Sequence, residues 1–195
     1  MMIILNPPVR FINESLVHWL QTMGGTSRIL LGIILGGMMA VDMGGPVNKA
    51  AYVFATGTLA TAAAGEYGTP IMAAVMAGGM VPPLGIALAT TIFKNKFNTE
   101  EREAGKTNYI MGLSFITEGA IPFAAGDPLR VLPASIAGSA VAGAISMFFN
   151  ISIPAPHGGL VVAFLSNNAW VYLLAILIGA VITAVILGLL KKKVN

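Results

Sequence analysis

Few residues in this 195-residue chain could do chemistry: eight are acidic, two are histidines and none is cysteine. The carboxylate that stands out is Glu118, within residues 108–130, NYIMGLSFITEGAIPFAAGDPLR. This stretch is apolar at both ends, yet it holds Glu118, Asp127 and Arg130, and Gly119, Pro122, Gly126 and Pro128 interrupt it. A charge among apolar residues costs free energy unless it is paired or used. Glycine and proline at this density do not build an uninterrupted spanning helix. A kinked core helix with a stray loop would leave the charge unexplained. The favoured reading is a re-entrant hairpin over residues 108–127 that enters a membrane-embedded cavity and presents Glu118 to a ligand.

Three other groups compete for attention. His157 sits between Pro154-Ala155-Pro156 and Gly158-Gly159. Non-helical backbone in a membrane persists only where protein or a wet cavity covers it, so a site role is favoured over a structural one. Asp42 and Lys49 bracket the break Gly44-Gly45-Pro46 and are expected close together, as a candidate pair. They fit a structural turn with a salt bridge as well as a direct role in a transport site. Asp127-Pro128 reads as a helix start, with Asp127 as N-cap and Pro128 at the first helical position.

The surrounding elements follow from composition. The chain is 56% hydrophobic and 10% charged, with a mean hydropathy of +0.81. Soluble domains carry roughly 25% charged residues, so an all-α integral membrane protein is expected. The 23 glycines and 11 prolines fit close helix packing and broken helices. The lack of cysteine excludes disulfides, thiolate metal sites and a cysteine nucleophile within the chain. A net charge of +3 without a basic cluster of the right kind gives no nucleic-acid surface.

Five spans are expected, at residues 28–43, 47–64, 71–93, 131–149 and 170–190. An amphipathic helix over 11–23, anchored by Trp19 and carrying His18, is expected to lie along the interface. The first two spans are read as two helices joined by a tight turn at the interface, because together they far exceed the ~20 residues of one crossing. A single discontinuous helix, as in transporters, is the other reading. Pro82-Pro83 predicts a kink in the third span. Residues 94–106, KNKFNTEEREAGK, are read as a solvated cytoplasmic loop. With that loop inside, a hairpin at 108–127 returns to the inside, and the last span then delivers Lys191-Lys192-Lys193 to the cytoplasmic face, as the charge rule requires.

Three runs carry a family likeness: MMAVDMGGPVNKAAY (residues 38–52), TNYIMGLSFITEGAIPFAAGDPLRV (107–131) and PAPHGG (154–159). They resemble the membrane component, enzyme IIC, of fructose-type sugar phosphotransferase systems. The likeness runs through nearly the whole chain from about Asn6, as one membrane domain over residues 1–195. It corresponds to the C-terminal part of enzyme IIC, with upstream helices absent. Ile116-Thr117-Glu118 is similar to the family's sugar-binding signature, although Phe115 stands where many members have glycine.

The resemblance implies a fold and a function. Enzyme IIC binds a sugar, moves it through the bacterial plasma membrane and holds it for phosphorylation by a phosphocysteine on a IIB partner, with the IIA phosphohistidine one step further away. Glu118 would hydrogen-bond the sugar and help deprotonate the acceptor hydroxyl. Thr117, His157, Asn48, Lys49 and Asp42 would complete the substrate site. The resemblance implies a homodimer and no cofactor or metal. An ion-coupled secondary transporter explains broken helices and buried charges without the resemblance, and a non-transporting fragment is a third reading.

Overall fold

The computed structural model describes residues 28–61 and 68–193. The expected interfacial helix over 11–23, with His18, lies outside the described residues. Within them the chain is all-α, with no strand beyond one isolated bridge between Thr69 and Ile153. The chain is an all-α membrane protein.

We number the α-helices in chain order. Three of them, α3 (Pro70–Ile92), α6 (Pro128–Phe148) and α8 (Ala169–Leu190), are long and apolar enough to cross a bilayer. At 1.5 Å per residue each exceeds the hydrocarbon thickness of about 30 Å. The most apolar stretch of α3 is 89% buried, against 50% for α6 and 44% for α8, so α3 is the central post. Helices meet along seams of small residues. A Cβ on Gly36 of α1 (Arg28–Val41) would fall 2.2 Å from the Ser139 carbonyl oxygen, and one on Gly143 would fall 2.2 Å from that of Gly32. Backbone touches backbone there, as small residues in membrane helices permit.

Two further segments reverse direction within the bundle. α1 runs antiparallel to α6, with Gly32 beside Gly143 and Met147 and Gly36 beside Ser139. After the break at 42–45, α2 (Pro46–Thr61) returns to the end where α3 begins, and the Thr58 and Thr69 hydroxyls are 3.0 Å apart. The expected first and second spans are therefore the arms of one hairpin. Over the described residues the arms run 14 and 16 residues. The turn between them is packed inside the bundle, with Met43 buried among Ile86, Phe97, Val131 and Leu187.

The second reversal starts from the opposite end. The charged run read as a loop at 94–106 is instead a 3-10 turn at Lys94–Lys96 followed by α4 (Thr99–Leu113). The reason is a capping box: the Asn98 side chain accepts from the Glu101 backbone N–H, and the Glu101 carboxylate accepts from that of Asn98. Glu100 and Glu101 in the first turn also favour the helix dipole. α4 runs antiparallel to α3, Gly105 against Thr90 and Gly112 against Leu84. The chain reverses at 114–116 and forms a 3-10 turn, Thr117–Ala120, then α5 (Ile121–Gly126). Phe97, before the reversal, shares a buried cluster with Phe123 and Val131 after it and with Leu187 near the end of α8. The segment thus leaves and rejoins the same end of the bundle. Lys191, just past α8, pairs with Glu101 and lies over the Phe97 ring, 4.2 Å from its centroid.

A third excursion, 150–168, contains α7 (Leu160–Ala163). Its base is closed by Asn167, whose side chain accepts from Ser152 N–H at 2.9 Å and donates to the Asn150 carbonyl at 3.0 Å. Its tip reaches inward until Gly159 abuts the Leu113 and Ser114 backbone. Asp127 stands at the N-cap position of α6 with Pro128 next, as expected. Its side chain makes no capping bond, however, and instead accepts from Arg130 Nη1 at 2.9 Å. A charged donor one turn into the helix is the stronger partner.

Pro82 and Pro83 do not break α3. They remove the amide hydrogens that would serve the carbonyls of Gly78 and Gly79. Both carbonyls find hydroxyls on other segments: Ser139 Oγ donates to Gly78 O at 2.8 Å, and Thr117 Oγ1 donates to Gly79 O at 2.9 Å. An unpaired buried carbonyl costs about 1–3 kcal/mol. Ser139→Ala, which strands the Gly78 carbonyl without adding bulk, is expected to lower stability by that amount, read as earlier thermal unfolding of the detergent-purified protein.

Candidate functional site

The tips of the three excursions meet mid-bundle around a cavity of about 490 Å³. This is within the usual range of 300–1,000 Å³ for small-molecule sites. The α1–α2 hairpin contributes Gly44, Asn48, Lys49 and Tyr52, the α4–α5 reversal contributes Phe115 to Glu118, and the 150–168 loop contributes His157. Five of the six residues expected to form a site line it: Glu118, Thr117, His157, Asn48 and Lys49.

Glu118 lies on the 3-10 turn after the reversal and is exposed to the cavity. Its carboxylate has no hydrogen-bond or ion-pair partner among the described residues. Its neighbour across the cavity wall is Gly44, at φ +115°. That angle calls for glycine at position 44, and a Cβ there would stand 2.9 Å from Glu118 Oε1 and push the carboxylate aside. Thr117 is buried, and its hydroxyl proton is committed to Gly79.

Asp42 does not line the cavity, and it does not pair with Lys49. Among the described residues the ion pairs are Glu103–Lys106, Asp127–Arg130 and Glu101–Lys191. The Asp42 carboxylate accepts instead from the backbone N–H groups of Val47 at 2.7 Å and Asn48 at 2.9 Å. A carboxylate at the N-terminus of α2 satisfies free amides and the positive end of the dipole together, so Lys49 is not needed there. Lys49 is left exposed in the cavity, where it supplies a positive charge opposite in sign to Glu118. Asn48 Nδ2 donates to the Met39 carbonyl at 2.8 Å, tying the start of α2 back to α1.

The apolar wall is aromatic. The Phe115 ring centroid is 5.3 Å from that of His157 and 6.3 Å from that of Tyr52, both tilted. Phe115 has φ +61°, the left-handed region that a non-glycine residue occupies at a cost of about 1 kcal/mol. That angle is a physical reason for glycine at this position of the resembled signature. Here a phenylalanine accepts the strain, and its ring fills the space beside Gly79, where a Cβ would fall 2.4 Å from Phe115 Cε2. Tyr52 was not singled out from the sequence. The available signal was its spacing, four residues after Asn48 on one helical face. Pro82-Pro83, read as a kink without chemistry, also belongs to the site through Gly79.

The family model for the phosphotransferase system EIIC matches residues 1–138. The fructose-specific EIIABC component of Bacillus subtilis (strain 168) is 58% identical over the whole chain, which covers 30% of that protein. The fructose permease IIC component of Bacillus amyloliquefaciens is 57% identical over the whole chain, which covers 62% of it. The fructose-specific EIIB'BC component of Escherichia coli (strain K12) is 50% identical over 98% of the chain, which covers 34% of it. The chain thus spans between about a third and three fifths of the length of these relatives. No solved structure gives a significant match. With the family model covering well over half of its length, the chain belongs to the phosphotransferase system EIIC family.

Proposed function

We propose that this chain carries the sugar-binding part of a phosphoenolpyruvate-dependent permease. It takes fructose or a similar hexose into the mid-bundle cavity and presents it for phosphorylation by a phosphocysteine on a IIB partner, itself charged through IIA. The observation that carries this reading is the unpartnered Glu118 carboxylate beside Lys49, Asn48 and His157 in one cavity. A hexose offers a cluster of hydroxyl donors, and a carboxylate accepts several of them. Glu118 also stands where it can draw a proton from the acceptor hydroxyl as phosphoryl transfer begins. Lys49 supplies the opposite charge near an incoming phosphoryl group. The relatives' names, fructose-specific and in one case EIIABC, support the sugar and the partner domains.

The same reading assigns the protein to the bacterial plasma membrane as a multi-pass homodimer with a cytoplasmic C-terminus. The Glu101–Lys191 pair supports it, because the charged start of α4 and the terminal lysines share one end of the bundle. The reversal at 108–127 is then a hairpin open to the cytoplasmic side, where a IIB domain would approach. An ion-coupled transporter is not favoured for a chain of this family.

In the assembled permease, Glu118→Gln is expected to lower sugar binding and phosphorylation by about 100-fold, the loss of roughly 3 kcal/mol of charge-assisted bonds, with membrane insertion unchanged. Labelled fructose binding and IIB-dependent phosphorylation in membrane vesicles check this, and wild-type rates would sink the assignment. His157→Ala is expected to raise the fructose KM about tenfold, a typical cost of one neutral contact and its packing. Uptake that follows a proton or sodium gradient and yields free sugar would overturn the whole reading.

A further inference from the structure

We infer that Thr117 is a positioning residue for Glu118: it docks the site turn on the one carbonyl of α3 that Pro83 leaves without a helical donor. Within α3 the donor for Gly79 O should be the amide of residue 83, and proline has none. The Thr117 hydroxyl takes that place at 2.9 Å, from 38 residues away in the chain. Gly79 receives the turn a second time, because the absence of a Cβ there admits the Phe115 ring. The residues on either side of Ile116 are thus anchored on a single point of the most enclosed helix.

Glu118 follows directly. In a 3-10 turn successive side chains point about 120° apart. With Thr117 turned onto α3, Glu118 is turned away from it, into the cavity and against Gly44. The Thr117 bond therefore fixes the rotation of the turn about its axis, and with it the place of the carboxylate. Ser139 makes the parallel bond to Gly78 O, so α6 and the site turn hang from adjacent carbonyls of α3.

The claim about position is independent of the ligand, and only its effect on sugar binding rests on the function proposed above. These 195 residues contain no cysteine, so Ile116→Cys, at a cavity-lining position 37% exposed, introduces a single thiol among them, whose maleimide labelling rate, read against the unsubstituted protein, reports the turn. In the full chain in native membranes, Thr117→Val removes the donor and keeps the shape. It is expected to change labelling at position 116 severalfold and to weaken fructose binding about tenfold, and Thr117→Ser to restore both. Adding Pro83→Ala to Thr117→Val returns an amide to the Gly79 carbonyl. Thermal stability should then recover while labelling and fructose binding stay altered. Unchanged labelling in Thr117→Val, or full recovery of labelling with Pro83→Ala, overturns the inference. Altered labelling in a parent chain that binds no fructose upholds the positioning role and removes the sugar.

Discussion

A buried helix that forfeits two successive amide donors has to be completed from outside. That constraint organises this protein. Pro82 and Pro83 leave the carbonyls of Gly78 and Gly79 without their partners, and the deficit is met by Ser139 on α6 and Thr117 on the site turn. The glycines make the carbonyls reachable, since neither carries a side chain to obstruct its neighbour. One of these bonds joins the long helices to each other, and the other joins them to the cavity. A feature that looks like damage to a helix is therefore the socket into which the cavity-lining turn fits.

The cavity itself is built from ends rather than from walls. Three segments that reverse within the bundle meet at their turns, and each brings a different group: a carboxylate from the α4–α5 reversal, an ammonium and an amide from the α1–α2 hairpin, an imidazole from the 150–168 loop. Helix ends and turns suit this task, because their backbone is not fully committed to internal hydrogen bonds. Asp42 illustrates the cost of such an arrangement. Its carboxylate is occupied in holding the first amides of α2, which leaves Lys49 free to face the cavity.

Much of this is legible in the sequence. Apolar runs punctuated by glycine and proline mark five of the helices to within about three residues, because burial in lipid demands apolar side chains and turns demand those two residue types. Glu118 is legible because charge in such a setting needs a use. Depth is not legible. Hydropathy registers that residues 28–43 and 47–64 are apolar, not that the turn between them is buried among the other helices. The destination of Asp42 was hidden because a carboxylate near a lysine suggests an ion pair, whereas the closer claim came from two amides with no side-chain signal. The bonds of Thr117 and Ser139 to α3 span 38 and 61 residues, beyond any local pattern. The helical start of α4 was legible, in Asn98 and Glu101, and was outweighed by the density of charge around it.

The seam between α1 and α6 has a consequence of another kind. At Gly36 and Gly143 its contacts are made by backbone carbonyls and Cα atoms, with no room for even a methyl group. Those two positions face no side chain that could be traded for a slightly larger or smaller one. Nineteen of the twenty residue types are too big for each position, and a compensating change on the other side has nothing to remove. Those two places are thus specified by subtraction: an alphabet of one letter at each. Sequence drift that a leucine-filled core absorbs by repacking has no neutral path here.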